Sequence, residues 1–342
     1  MDIKNDVFSI ADEYDTLFVD VYGVLYDGIN LFENTLSTMK SLKKLGKKII
    51  ILSNTTQIAH DAKVGYAKRG MYDGEHYDEI VTSGEFLKQT ITKKSQEFDQ
   101  AVGSDVYTVK CIFMGNGEVF SESHVVQAAS YKEADFVYVG VPRASYGSVR
   151  IDNLFDKDDK FVSIEDVIGS DWNNLRDSQG RKGPYEFASF LEPCLKEKKT
   201  LVVANPDIFA HGSVDNNTRN KVPIFTQGSI GKYYEKLGGK VVYFGKPYSG
   251  IFEFAKQYAN PDDKIAMIGD TPWTDILGAN ISGIDSVMTM TGVSEEFFSK
   301  MSLSLSLEEK FDILFNDISK KMTDVSGSVI PKYIIGQFSH SP

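Results

Sequence analysis

The stretch LFVDVYGVLYDG, residues Leu17–Gly28, decides the fold of this chain. It opens with an apolar run of the length of a buried strand, and the first acid after that run is Asp20. An amphipathic helical pattern follows and stops at Gly46, and a second apolar run then covers Lys48–Asn54. A strand, a helix with a glycine stop and another strand predict a βαβ unit in a parallel sheet.

The same alternation returns near the C-terminus, with apolar runs at Val241–Phe244, Ile265–Ile268 and Ser286–Met290. The part between the two α/β blocks has a different character, and its stretch 151–183 is polar and weakly periodic. We therefore expect an α/β fold, a doubly wound parallel sheet with an inserted α/β cap domain. The predicted limits are 1–83 and 228–300 for the core, 84–227 for the cap and 301–342 for a C-terminal tail or helix.

Composition excludes several classes of partner. The 342 residues carry a formal net charge of -11, which disfavours nucleic acid and anionic membranes, because both attract basic surfaces. No apolar run approaches the roughly 20 residues that cross a bilayer. The only two cysteines are Cys111 and Cys194, and the N-terminal residues lack the pattern of a secretory signal, so we expect a reduced, cytoplasmic protein.

Polar residues that directly follow the predicted strands are the candidates for a site, because parallel strands bring their carboxyl ends to one crevice. Each of them also has an ordinary structural explanation as a turn former, a helix cap or a solvated lysine. Their combination, an acid, a hydroxyl, a lysine and an acid pair in this order, indicates phosphoryl transfer. The candidates are Asp20, Ser53, Asn54, Lys246, Asp270 and Asp275.

Five segments together resemble the haloacid dehalogenase-like superfamily, and within it the capped subclass IIA of p-nitrophenyl phosphate, nucleotide, sugar-phosphate and pyridoxal-phosphate phosphatases. The most specific of them is GDTPWTDILGAN, and the five extend over most of the chain outside the tail. They are LFVDVYGVLYDG, IIILSNTT, VVANPD, VYFGKP and IAMIGDTPWTDILGAN.

The resemblance implies a hydrolase that acts on a small phosphate ester through an aspartyl-phosphate intermediate. It makes Asp20 the nucleophile and a ligand of Mg²⁺. The backbone carbonyl of Tyr22 and the carboxylate of Asp270 would complete the protein ligands, since Mg²⁺ prefers hard oxygen donors.

The resemblance also assigns the remaining candidates. Asp275 would orient Lys246 or a metal-bound water, while Ser53 and Lys246 would hold the phosphoryl oxygens. Related caps often mediate dimers, so a homodimer is among the expected assemblies. Substrate contacts are implied for Ser53, Asn54, Asn205, Asp207 and Lys246.

One position departs from the family pattern. The usual motif is Asp-x-Asp, and its second acid protonates the leaving group; here that position is Tyr22. One interpretation is a slower phosphatase in which Asp27 or a metal-bound water replaces the missing acid. A second is a dehalogenase, which also carries Asp-x-Tyr but lacks the acid pair and uses an arginine, whereas the first arginine of this chain is Arg69. A third is a non-catalytic protein that binds a phosphate ligand.

Overall fold

The computed structural model describes residues 2–102, 108–115, 117–120, 125–140, 185–210 and 224–339. The prediction for residues 151–183 lies outside the described residues. Within the described part, the fold is built on two parallel sheets of different size.

Seven parallel strands form the larger sheet: β1 (Asp2–Lys4), β2 (Thr16–Val19), β3 (Lys48–Ser53), β4 (Glu79–Thr82), β12 (Ile265–Gly269), β13 (Asp285–Thr289) and β14 (Tyr333–Ile335). Their order is β1-β14-β13-β12-β2-β3-β4. All four residues of β2 are buried, as are five of the six residues of β3. Such continuous apolar runs are typical of strands whose sheet is covered by helices on both faces.

Five parallel strands form the smaller sheet: β5 (Val109–Gly115), β6 (Val125–Gln127), β7 (Phe136–Gly140), β8 (Thr200–Val203) and β11 (Lys240–Tyr243). Their order is β11-β8-β7-β5-β6. A short antiparallel pair, β9 (Phe209–Ala210) and β10 (Ile224–Phe225), lies outside both sheets. The predicted fold class, a doubly wound parallel core with an inserted α/β unit, is confirmed.

The described helices are α1 (Phe8–Ala11), α2 (Thr35–Lys44), α3 (Ala59–Ala67), α4 (Ser83–Val102), α5 (Tyr185–Lys196), α6 (Gln227–Lys236), α7 (Ser249–Lys256), α8 (Leu277–Ile281), α9 (Gly292–Lys300), α10 (Leu307–Asp312) and α11 (Ser319–Met322). A 3₁₀ turn covers Glu118–Phe120, and π turns cover Pro272–Ile276 and Ile313–Ile318. None of these helices combines the length and the apolar character that a membrane span requires.

Strand pairing departs from the predicted domain limits at β11. The sequence analysis assigned this strand to the core, yet β11 pairs with β8 in the smaller sheet, in the register Val241 to Leu201. The inserted unit therefore extends past residue 227 to the end of β11. An apolar run after a helix has the same pattern in either sheet, so periodicity alone does not reveal the pairing partner.

Residues 301–342 were predicted as a C-terminal tail or helix outside the core. Helices α10 and α11 lie in this segment, but its strand β14 joins the core sheet. Strand β14 lies between β1 and β13 in the larger sheet, and the amide of Met290 donates to the carbonyl of Ile335 at 3.0 Å. Ile335 is fully buried in the apolar cluster around β2. Three residues of strand are too few to show a periodic pattern, which is why the sequence did not indicate this strand.

The strand assignment of the C-terminal region can be tested by Ile335→Ala. Truncation of a fully buried isoleucine should lower the free energy of unfolding by about 2–5 kcal/mol. Ile330→Ala is the matched control, because this side chain is 50% exposed, and it should change stability by less than about 0.5 kcal/mol. Equilibrium urea unfolding of both variants measures the difference. Equal, small losses would show that β14 does not belong to the sheet.

Candidate active site

The candidate residues of the core come together at the carboxyl ends of three adjacent strands. Strands β12, β2 and β3 are neighbours in the larger sheet. Asp270 follows β12, Asp20 follows β2, and Ser53 is the last residue of β3. The amide of Asp20 donates to the carbonyl of Ile268 at 2.9 Å, which keeps the first two strand ends side by side.

Lys246 lies at the centre of this group and is 2% exposed. Its Nζ donates to Asp20 Oδ1 at 2.5 Å and to the carbonyl of Leu52 at 3.0 Å, and it lies 2.7 Å from Asp275 Oδ1. Although burial by itself lowers the pKa of Lys246, the charges and hydrogen bonds of the two carboxylates raise it above its ordinary value. The lysine therefore stays protonated and holds both acids.

Three carboxylates face one another around this lysine. One oxygen from each of Asp20, Asp270 and Asp275 lies within 4.8 Å of the others. Burial, followed by the negative charges of Asp275 and Asp270, holds the pKa of Asp20 well above its usual range, against the lowering effect of Lys246. One protonated amine does not neutralise three acids, so the group could hold a cation.

A backbone amide and a side-chain hydroxyl fix the direction of the Asp270 carboxylate. The amide of Val293 donates to Oδ2 at 2.7 Å, and the hydroxyl of Thr271 donates to Oδ1 at 3.0 Å. Gly23 and Gly292 approach so closely that a Cβ on them would lie 1.9 and 2.0 Å from Oδ2. Both glycines have positive φ angles, so they provide the space as well as the turns.

The side chain of Asn54 joins the core to the inserted unit. Its Oδ1 accepts from the amide of Lys246 at 2.7 Å and from the hydroxyl of Ser83 at 3.2 Å. Its Nδ2 donates to Asp207 Oδ1 at 2.9 Å and to the carbonyl of Lys246 at 3.0 Å. An asparagine side chain has two donors and two acceptor lone pairs, so all four are used within the protein.

The predicted cap residues lie at the same junction. Asn205 Oδ1 accepts from the amide of Asp207 at 2.9 Å, which forms a tight turn. Both residues line the cavity that also contains Asp20 and Lys246. In this arrangement Asn205 and Asn54 hold the Asp207 turn in place, and both asparagines form part of the cavity wall.

Tyr22 lines the cavity, and its ring packs edge-on against Tyr26 at 5.1 Å between ring centres. Asp27 does not line it. Its Oδ1 accepts from the amides of Ile29 and Asn30, each at 2.8 Å, and so closes a turn. The arrangement gives no support to Asp27 as a replacement for the missing acid.

Tyr66 of α3 was not predicted as a site residue from the sequence. Its hydroxyl interacts with the side chain of Ser53, and burial together with the charges of Tyr22 and Asp20 raises the pKa of Tyr66 above its ordinary value. A tyrosine on a predicted helix is usually assigned to packing, so no sequence signal distinguished it. Tyr22 thus lines the cavity, whereas Tyr66 interacts with Ser53 without lining the cavity itself.

One wall of the cavity is apolar and also was not predicted. It is formed by Ile208 of the inserted unit, Trp273 and Val293 of the core, and Met322 at the end of α11. Trp273 lies in the motif GDTPWTDILGAN, but no role was predicted for it, and Met322 lies in the predicted C-terminal tail or helix. Only the tertiary packing brings these four side chains together.

Two segments of the chain match models of known protein families. A family model described as haloacid dehalogenase-like hydrolase matches residues 17–109, and one described as HAD-hydrolase-like matches residues 243–317. The first match contains Asp20 and Ser53, and the second contains Lys246, Asp270 and Asp275. Both segments that carry the candidate residues thus match models of haloacid dehalogenase-like hydrolases, which confirms the resemblance seen in the sequence. No curated protein sequence matches the chain.

Solved structures share the fold over nearly the whole chain. A haloacid dehalogenase-like hydrolase from Brucella suis is 18% identical with a TM-score of 0.64, covering 98% of this chain and 99% of its own. A possible sugar phosphatase from Cytophaga hutchinsonii is 19% identical with a TM-score of 0.63, covering 100% of both chains. A p-nitrophenyl phosphatase from Archaeoglobus fulgidus is 20% identical with a TM-score of 0.59, covering 95% and 96%.

The close approach of Gly292 to Asp270 can be tested against a matched glycine. Gly292 and Gly283 have similar φ angles, +64° and +69°, but a Cβ on Gly283 would meet nothing within 4 Å. Both alanine substitutions should lower the free energy of unfolding by about 1–2 kcal/mol, because alanine is strained in the left-handed backbone conformation. Gly292→Ala should lose about 1–3 kcal/mol more, because its Cβ displaces the carboxylate. Urea unfolding measures both; equal losses would contradict the packing described.

Proposed function

We propose that this protein is a Mg²⁺-dependent phosphatase that hydrolyses a small phosphate ester through an aspartyl-phosphate intermediate. The observation that carries the proposal is the buried Lys246, bonded to Asp20 and paired with Asp275, with Asp270 beside them at the end of the adjacent strand. The names of two similar structures, a possible sugar phosphatase and a p-nitrophenyl phosphatase, support the same chemistry.

The donor set fits magnesium. The three carboxylates offer hard oxygen atoms within 4.8 Å of one another, and their charge exceeds that of the single lysine. Asp20, Asp270 and the backbone carbonyl of Tyr22 would hold the ion. When bound, it would offset the repulsion between the anionic nucleophile and the anionic phosphate.

In the first half of the proposed reaction, a carboxylate oxygen of Asp20 attacks phosphorus and the bond from phosphorus to the ester oxygen breaks. The leaving oxygen departs with the bonding electrons and takes a proton from the hydroxyl of Tyr22, which occupies the usual acid position. Ser53 and Lys246 stabilise the charge on the phosphoryl oxygens. In this step Lys246 exchanges part of its bonding to Asp20 for bonding to the phosphoryl group.

After the leaving group has departed, the Tyr22 phenolate takes a proton from solvent and is a phenol again. In the second half, a water oxygen attacks the phosphorus of the aspartyl phosphate, and the proton that this water loses passes to solvent. The bond from phosphorus to Asp20 breaks, inorganic phosphate leaves, and the carboxylate is restored. A phenol is a poor general base near neutral pH. The proposed mechanism therefore makes this hydrolysis the slower half when the leaving group is good.

The dehalogenase interpretation has less support, because that chemistry has no use for an acid pair beside the nucleophile, and Asp270 and Asp275 lie there. A non-catalytic phosphate-binding protein would keep the same pocket. Turnover that depends on Asp20 separates this interpretation from the proposed enzyme.

The first test is release of phosphate from p-nitrophenyl phosphate and small alkyl phosphates, with Mg²⁺ and with EDTA. Turnover should require Mg²⁺ and should fall by at least about a thousandfold in Asp20→Asn, which removes the nucleophile. The control is Asp262→Asn, at an exposed position, which should retain full activity. Full activity in Asp20→Asn, or turnover unaffected by EDTA, would contradict the proposal.

The acid role of Tyr22 is tested by comparing Tyr22→Asp with Tyr22→Phe. Restoring the carboxyl group should raise kcat/KM for glycerol phosphate by about tenfold or more, and for p-nitrophenyl phosphate much less, because general acid catalysis matters most for poor leaving groups. Tyr22→Phe keeps the ring that packs on Tyr26 and should have the opposite selectivity. Equal changes for the two substrates would show that Tyr22 does not donate the proton.

A further inference from the structure

The C-terminal segment 307–324 packs between the active site and the inserted unit. Phe311, Leu314, Phe315 and Ile318 belong to the same buried apolar cluster as Val137 and Leu201 of the smaller sheet and Met288 of the larger sheet. The rings of Phe311 and Phe315 stack at 5.7 Å. This segment is therefore part of the contact between the two sheets.

An ion pair fixes the end of the segment to the inserted unit. Lys232 of α6 pairs with Asp324, and it also lies 3.3 Å from Glu235. Burial by itself lowers the pKa of Lys232, but the hydrogen bond to Asp324 and the charges of both acids raise it above its ordinary value. Lys232 thus remains protonated at neutral pH, and its contact with Asp324 holds the chain just after Met322.

Met322 brings this segment into the substrate cavity. It is 4% exposed and lines the cavity together with Trp273, Ile208 and Val293. Trp273 is supported from behind by Phe297, whose ring meets it edge-on at 5.5 Å. The apolar wall is consequently held by packing on both sides.

The charged groups of the cavity have one predominant sign. The described lining residues include four acids, Asp20, Asp207, Asp270 and Asp275, and the one basic side chain among them is Lys246. Lys246 is engaged with Asp20 and Asp275. A leaving group that carries its own negative charge would find no free counter-charge among the described lining residues.

We propose that Met322 and Trp273 form the wall against which the leaving group lies, and that the substrates are phosphate monoesters whose leaving group is uncharged and has an apolar face. This inference rests on the proposed phosphatase function. The phosphoryl group occupies the end of the cavity at Asp20, Ser53 and Lys246. In-line displacement directs the leaving group away from Asp20, toward the rest of the cavity that the apolar wall borders.

The experiment compares benzyl phosphate, phosphoglycolate and acetyl phosphate. The leaving group of acetyl phosphate is too short to use the wall, so this ester reports on the chemistry alone. The wild-type protein should prefer benzyl phosphate to phosphoglycolate. Met322→Ala should lower kcat/KM for benzyl phosphate by about tenfold, because an apolar contact is lost. It should change kcat/KM for acetyl phosphate by less than about twofold, since this ester does not reach the wall.

Met301→Ala is the matched control, because Met301 is buried in the same cluster but is absent from the cavity lining. Met301→Ala should leave the ratio of kcat/KM for benzyl phosphate to kcat/KM for acetyl phosphate unchanged. Met322→Lys should shift the preference toward phosphoglycolate by supplying a cation. The inference would be overturned if Met322→Ala lowered kcat/KM equally for all three substrates, or if Met322→Lys left the ratio of benzyl phosphate to phosphoglycolate unchanged. A wild-type preference for phosphoglycolate would also overturn it.

Binding of benzylphosphonate and methylphosphonate by calorimetry, in the presence of Mg²⁺, separates the two proposals. Met322→Ala should weaken the affinity for benzylphosphonate by about tenfold and leave the affinity for methylphosphonate unchanged, whether or not the protein turns substrate over. No turnover with this selective loss would refute the phosphatase and retain the apolar wall. Turnover without the selective loss would refute the wall and retain the phosphatase.

Discussion

The buried ion pair of Lys246 with Asp20 and Asp275 is the interaction on which the site depends. A carboxylate removed from water is strongly destabilised unless a partner of opposite charge replaces the lost hydration. Lys246 supplies that partner to two acids at once. The lysine follows β11, a strand of the smaller sheet, whereas both acids follow strands of the larger sheet. Charge balance in the site therefore requires both sheets to be in place.

Asn54 reinforces this dependence from the opposite side. Its four hydrogen bonds reach the backbone of Lys246, the hydroxyl of Ser83 and the carboxylate of Asp207. Ser83 begins the helix that leaves the larger sheet, and Lys246 lies where the chain returns to it. Gly245 has a φ of +127°, and a Cβ there would lie 2.6 Å from Asn54 Oδ1. The chain crossings between the sheets are thus packed against the site that they form.

The sequence predicted the polar centre of the site better than its walls. Asp20, Ser53 and Asp270 each directly follow or end a predicted strand, and parallel neighbours bring such positions together without further information. The pairing of β11 with β8, the insertion of β14 and the position of Met322 depend on which surfaces meet. Short apolar segments fit several partners equally well, so their local pattern does not specify one of them. Tyr66 was missed for the same reason, because its helix position indicates packing and its hydroxyl reaches the site only in the folded chain.

On the proposed mechanism, the phenol of Tyr22 makes the site better at donating a proton than at accepting one. The pKa of Tyr66, raised by burial and by the charges of Tyr22 and Asp20, keeps its hydroxyl a donor at neutral pH, and a phenol at position 22 favours donation over abstraction as well. A site of this kind assists departure of the leaving group more than activation of water. On the proposed mechanism, the replacement of an acid by Tyr22 therefore moves the difficulty from forming the phosphorylated Asp20 to hydrolysing it. A leaving group held firmly against the apolar wall would then contribute mainly to the first half of the reaction, where the phenol of Tyr22 already acts.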